Sequence, residues 1–108
     1  MEQDNIKNYA VAAFRYYGHI SDSSGVPPED SDTIDAVISV RRHLRVEGDA
    51  ETITLIDKVY GSLPNGRLHR NVITHRVNAA AEEMNMDART VWRKLARARR
   101  LFFAYYIH

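Results

Sequence analysis

Six cations sit within twelve residues near the C-terminal end of this chain: Arg89, Arg93, Lys94, Arg97, Arg99 and Arg100. Guanidinium groups donate in a planar fork that fits phosphate oxygens and the acceptor edge of guanine. Between the cations, Val91, Leu95, Ala98 and Phe102 recur at i, i+4, i+7 and i+11. That spacing predicts a helix with one apolar face and basic flanks. The chemistry on offer is binding to an anion-rich polymer. Catalysis has no comparable support, because no Gly-rich phosphate loop and no nucleophile elbow occurs. The chain is therefore read as a non-enzyme. Its histidines (His19, His43, His69, His75 and His108) never pair at helical i, i+4 spacing, and there is no H-E-x-x-H string. No metal and no cofactor is expected.

The residues just before the cations must position them. Residues 81–101 read AEEMNMDARTVWRKLARARRL. Ala81 is small enough for two helices to cross there. Asn85 stands where a first helix would end left-handed, and Asn adopts that conformation more readily than other non-glycine residues. Asp87 is a good N-cap for the next helix. Met84 and Met86 would plug the space between the two helices. A helix, a tight turn and a basic second helix make a helix-turn-helix pattern, whose second helix enters the DNA major groove.

The string AEEMNMDARTVWRKLARARRLF resembles the helix-turn-helix of sigma factor region 4, especially the extracytoplasmic-function type. Ala81-Glu82-Glu83, the apolar-Asn-apolar turn, Thr90-Val91 and the run from Leu95 to Arg99 carry the resemblance, over roughly a quarter of the chain. Small phage-encoded transcription regulators resemble region 4 in the same way. Asn85 for glycine and Trp92 for a polar residue depart from the family pattern, and nothing in the first half looks like sigma region 2. The resemblance implies a sequence-specific transcriptional regulator of phage or mobile-element origin. Its partners would be double-stranded DNA and, through the N-terminal helices, RNA polymerase, another protein or a second copy in a homodimer.

The position of each residue assigns its task. Ala88, Arg89, Trp92 and Arg93 lie on the first turns of the second helix, where base edges are reached, and Asp87 and Thr90 beside them count among the DNA-binding residues. Lys94, Arg97 and Arg100 lie further along and would meet phosphates, as would Arg67, Arg70, His75 and Arg76 before the turn. Trp92 would either touch thymine methyls and sugars or pack on the N-terminal helices. Two rival classes are a small terminase-like DNA-packaging subunit, which also carries a helix-turn-helix, and a protein-interaction module that inhibits polymerase or a sigma factor.

Charge is split along the chain. Residues 1–65 hold 6 Lys/Arg against 11 Asp/Glu, and residues 66–108 hold 9 against 3, so balances of −5 and +6 hide behind the net +1. A basic half beside an acidic half fits a nucleic-acid face joined to a different surface. The 108 residues, 44% of them hydrophobic, suit one domain with one modest core. The absence of cysteine excludes disulfides and thiolate metal sites. No apolar run approaches the ~20 residues of a membrane span, and the acidic N-terminus is unlike a signal peptide. A cytoplasmic protein without membrane association is expected.

The remaining elements read as an all-α bundle of four or five helices in a single domain 1–108, with acidic N-terminal helices in 1–61 and the basic helix-turn-helix in 71–107. Residues 5–17 carry the stripe Ile6, Tyr9, Ala10, Ala13, Phe14 and Tyr17, with Gly18 as the stop. After a turn-rich stretch to Asp30, Ser31 or Asp32 caps a second helix that buries Ile34, Val37, Ile38 and Leu44. Gly48 ends it. Asp49 caps a third helix, with Ile53, Ile56, Val59 and Tyr60 inward and Gly61 as its stop. Pro64-Asn65-Gly66 centres an ordered loop. Asn71 caps the first motif helix, and the second runs from Ala88 as far as Tyr106. The apolar tail 101–107 should close onto the stripe 9–17; the other option is that it meets a second subunit.

Overall fold

The computed structural model describes residues 2–20, 30–64, 66–69 and 71–106, with side chains from residue 8 onward. The turn-rich stretch 21–29 and the residues Asn65, Arg70 and Ile107 lie outside the described residues, as does the side chain of Ile6. The described residues form five α-helices: α1 (Glu2–His19), α2 (Ser31–Val46), α3 (Ala50–Ile56), α4 (Val72–Glu83) and α5 (Ala88–Tyr106). A π-helical turn, Asp57–Gly61, prolongs α3. No strand occurs among the described residues, so the fold is all-α there.

α5 runs against the other four helices. Its Val91, Leu95, Ala98 and Phe102 are fully buried. They join one apolar cluster with Ala10, Ala13 and Phe14 of α1, Val37, Val40 and Leu44 of α2, Leu55 and Ile56 of α3, and Val77 of α4. The C-terminal aromatics close onto α1. Phe102 meets Tyr9 edge-on at 6.0 Å and Phe14 at 5.8 Å between ring centroids. The Tyr9 hydroxyl donates to that of Tyr106 at 2.8 Å.

Helix ends are set by local hydrogen bonds. At the end of α2, Gly48 takes φ +82°. Its amide donates to Arg45 O at 3.0 Å and that of Asp49 donates to Leu44 O at 2.8 Å. This pair of bonds is the Schellman arrangement, and it needs the left-handed conformation that glycine adopts freely. Asp49 then caps α3, its carboxylate accepting from the Thr52 amide at 3.2 Å and from the Thr52 hydroxyl at 2.7 Å. Thr52 is thereby buried without an unpaired polar atom.

Four expectations are corrected. Gly18 does not stop α1, which continues to His19. It lies against Gly61, and a β-carbon at Gly18 would overlap the Gly61 carbonyl oxygen and α-carbon. The glycine is there for a backbone-to-backbone crossing. Ile38 is not in the core but 37% exposed; Ala36 and Val40 are buried on α2 instead. Neither Ser31 nor Asp32 caps α2. Asp30 holds that place without a side-chain cap bond, its carboxylate accepting instead from the Tyr16 hydroxyl at 3.1 Å. Asn71 sits at the N-cap of α4 but makes no side-chain cap bond, because it adopts φ 69° itself to turn the chain into the helix.

The glycine crossing makes a stability prediction. Ala for Gly inside a helix normally gains up to ~1 kcal/mol of propensity. Here the obstacle is backbone, which cannot swing aside as a side chain would. Gly18→Ala is expected to lower stability by about 1–3 kcal/mol, the usual range for overpacking. A thermal melt checks this, and an unchanged or raised Tm would refute the close crossing.

Candidate nucleic-acid interface

The turn between α4 and α5 is built as its residue types require. The Met86 amide donates to Ala81 O at 2.9 Å and the Asn85 amide to Glu82 O at 3.2 Å. Asn85 has φ 55°, the left-handed value this pair of bonds needs. Asp87 begins α5, its carboxylate accepting from the Arg89 amide at 3.2 Å while its carbonyl accepts from Thr90 at 2.9 Å. A carboxylate there also meets the positive end of the helix dipole. Met84 and Met86 are half-buried against the core, and Ala80 and Ala81 are buried where α4 crosses.

These constraints fix which face of α5 looks outward. Successive residues turn by about 100°. Arg89, Arg93 and Arg100 therefore fall within roughly 40° of one another, on the side opposite the buried Val91, Leu95, Ala98 and Phe102. All three are exposed. Among the described residues no carboxylate pairs with any of them; the one side-chain contact is a long bond of 3.4 Å from Arg93 to the Thr90 hydroxyl. The result is a row of cations spanning about 16 Å of helix.

The other sequence-assigned residues are placed differently. Ala88 and Trp92 are half-withdrawn and pack against the core. Trp92 lines a cleft of about 460 Å³ with Val11, Leu68, Val72 and Ile73, so its body rests between α1 and the start of α4. Arg99 donates to the Tyr60 hydroxyl at 2.8 Å. Burial pushes that phenol's pKa up, and the Arg99 charge offsets part of the rise. Arg76 donates to the Ser62 hydroxyl and reaches Lys58 O at 3.5 Å, so it faces the π-helical turn. Arg67 and His75 are exposed, and Arg70 lies outside the described residues.

Lys94 and Arg97 are tied down by residues far away in sequence. The elbow between α2 and α3 presents Glu47, Asp49 and Glu51 to α5. Arg97 bonds both carboxylate oxygens of Glu47, at 2.6 and 2.8 Å, and comes within 3.7 Å of Asp49. Lys94 lies 3.5 Å from Asp49 and 3.4 Å from Glu51. The bond from Arg97 holds the Glu47 carboxyl below its ordinary range, and His43 on its other side adds to this. Partial burial works the opposite way at Asp49, yet the Thr52 bonds and Lys94 carry its pKa down on balance. Reading the cations alone missed this arrangement. The signal was the local run of acids at 47, 49 and 51, whose partner only the tertiary fold names.

Among the described residues no group of three His, Asp or Glu side chains could hold a metal ion. No described helix is long and apolar enough to cross a membrane. Set against protein-family models, curated protein sequences and solved structures, the chain matches none of them.

Proposed function

We propose that this protein is a sequence-specific DNA-binding transcriptional regulator, with α4 and α5 as a helix-turn-helix of the sigma-region-4 kind and α5 as the helix that enters the major groove. The observation that carries the reading is the outward row Arg89, Arg93 and Arg100, without acidic partners, on a helix anchored by a left-handed Asn85 and a capping Asp87. A cation row that is only a solvated face has no need of so constrained an entry. Arg89 and Arg93, near the start of α5, would read base edges. Arg100, two turns on, would meet phosphate. The role is binding and not catalysis, and its place is the cytoplasm, where the DNA is. The acidic remainder of the surface would meet polymerase or a second copy, and the origin is a phage or mobile element; both rest on the resemblance and the charge split.

Binding to duplex DNA measured by fluorescence anisotropy over a salt series tests the reading. About four cations entering the counterion atmosphere give a log–log slope near −3 to −4. Affinity that is absent at low salt would instead favour a protein-interaction module. Tight binding by a ring-shaped oligomer without sequence preference would favour a DNA-packaging subunit.

A further inference from the structure

The contact between the acidic elbow and α5 lies beside the interface just described. On a helix lying in the major groove, the residues on the outermost stripe face bases and those on its flanks face the phosphate walls. Arg97 and Lys94 stand on one flank of α5, roughly 40–140° round the helix from the outward row. On that flank the carboxylates of Glu47, Asp49 and Glu51 are the anions paired with Lys94 and Arg97. Both Glu47 carboxylate oxygens accept from the Arg97 Nη2, a charge-assisted contact of the kind a phosphate oxygen also makes.

We propose that the elbow 47–51 is an intramolecular mimic of the DNA backbone, which withholds Lys94 and Arg97 from DNA in the free protein and lowers affinity for every sequence alike. The proposal rests on the reading of α5 as the DNA-facing helix. Three carboxylates face two cations, so the flank is net acidic and repels an approaching duplex until the pairs exchange. Exchange is easy on Glu47 and Glu51, whose side chains are 41% and 46% exposed and screened by water. It is hard at Asp49, which the two Thr52 bonds hold in place. The latch thus has two movable arms and one fixed post. Opening it costs the same on every duplex, so the latch sets overall affinity and leaves sequence preference to the outward row.

The test is Glu47→Gln/Glu51→Gln, which removes the two movable charges and leaves the Asp49 cap intact. Its control is Asp32→Asn/Asp35→Asn, which removes two charges from the distant first turns of α2, where both side chains are exposed. The latch variant is expected to bind non-specific duplex about tenfold more tightly at low salt, with a log–log slope steeper by about 1–2 as Lys94 and Arg97 gain phosphate partners. Arg97→Ala should weaken binding more in that background than in the wild-type chain. An affinity no higher than the control's, or a slope equal to wild type's, overturns the latch while leaving DNA binding itself standing. Weaker binding with a lowered Tm overturns it too, since the pairs would then be structural; Glu51→Gln alone, at an arm that makes only the long pair to Lys94, repeats the measurement with less risk to folding. DNA binding by none of the proteins, wild type included, overturns both the latch and the function beneath it.

Discussion

Phe102→Ala is expected to cost about 3–5 kcal/mol, the range for deleting a fully buried phenylalanine. The residue is 0% exposed, and its ring meets four others. Tyr106 stacks on it at 5.3 Å and 12°, while Phe14 meets it edge-on and itself stacks on Tyr60 at 5.9 Å. Removing the ring would empty the junction of α1, α5 and the π-helical turn at once, and packed helices close such a void only partly. A domain of this size holds on the order of 5–15 kcal/mol in total. The substitution should therefore bring the melt close to ambient temperature, and removing residues 101–108 should abolish cooperative melting. Phe102→Leu keeps most of the volume and should cost far less. If the truncated chain retains a cooperative melt and loses only self-association, the aromatic tail is an interface and not core.

Features that depend on nearest neighbours in sequence were legible before any coordinates. The stripe of α5 is buried as its spacing requires, because a helix face is fixed by its 3.6-residue period. Asn85 and Asp87 are also local: each satisfies backbone groups within a few residues of itself, as does Asp49. What escaped depends on which elements meet. Gly18 looks like a helix stop until Gly61 is found against it. Ile38 lies at a register that an apolar stripe would include, but α5 and α1 cover the neighbouring face and leave it half in water. Asn71 has the chemistry of a cap and spends it on a left-handed turn. Lys94 and Arg97 read as phosphate ligands until residues 47–51 fold over them. The charge split of the sequence therefore carries over to the surface only in part: acids 47, 49 and 51 of the first half pair with Lys94 and Arg97 of the second.

That selection makes the last prediction sharper than the cation count would allow. Arg89→Ala/Arg93→Ala/Arg100→Ala is expected to reduce affinity for the preferred site by about a thousandfold or more, since each guanidinium on a base edge or phosphate contributes on the order of 1–3 kcal/mol. Folding should be untouched, because all three side chains are exposed and, among the described residues, only Arg93 has a side-chain bond, the long one to Thr90. Singly, the three should differ in kind. Arg93→Ala should relax sequence preference in a selection from random DNA. Arg100→Ala should weaken all duplexes alike and flatten the salt slope by about 1. Arg97→Ala, which an unfolded reading of the helix would rank beside Arg100→Ala, should do little in the wild-type chain because Glu47 already holds that guanidinium. Equal losses for Arg97→Ala and Arg100→Ala would mean that the elbow lets go of α5 before DNA arrives. Wild-type preference retained by Arg93→Ala would move base reading to some other part of the surface.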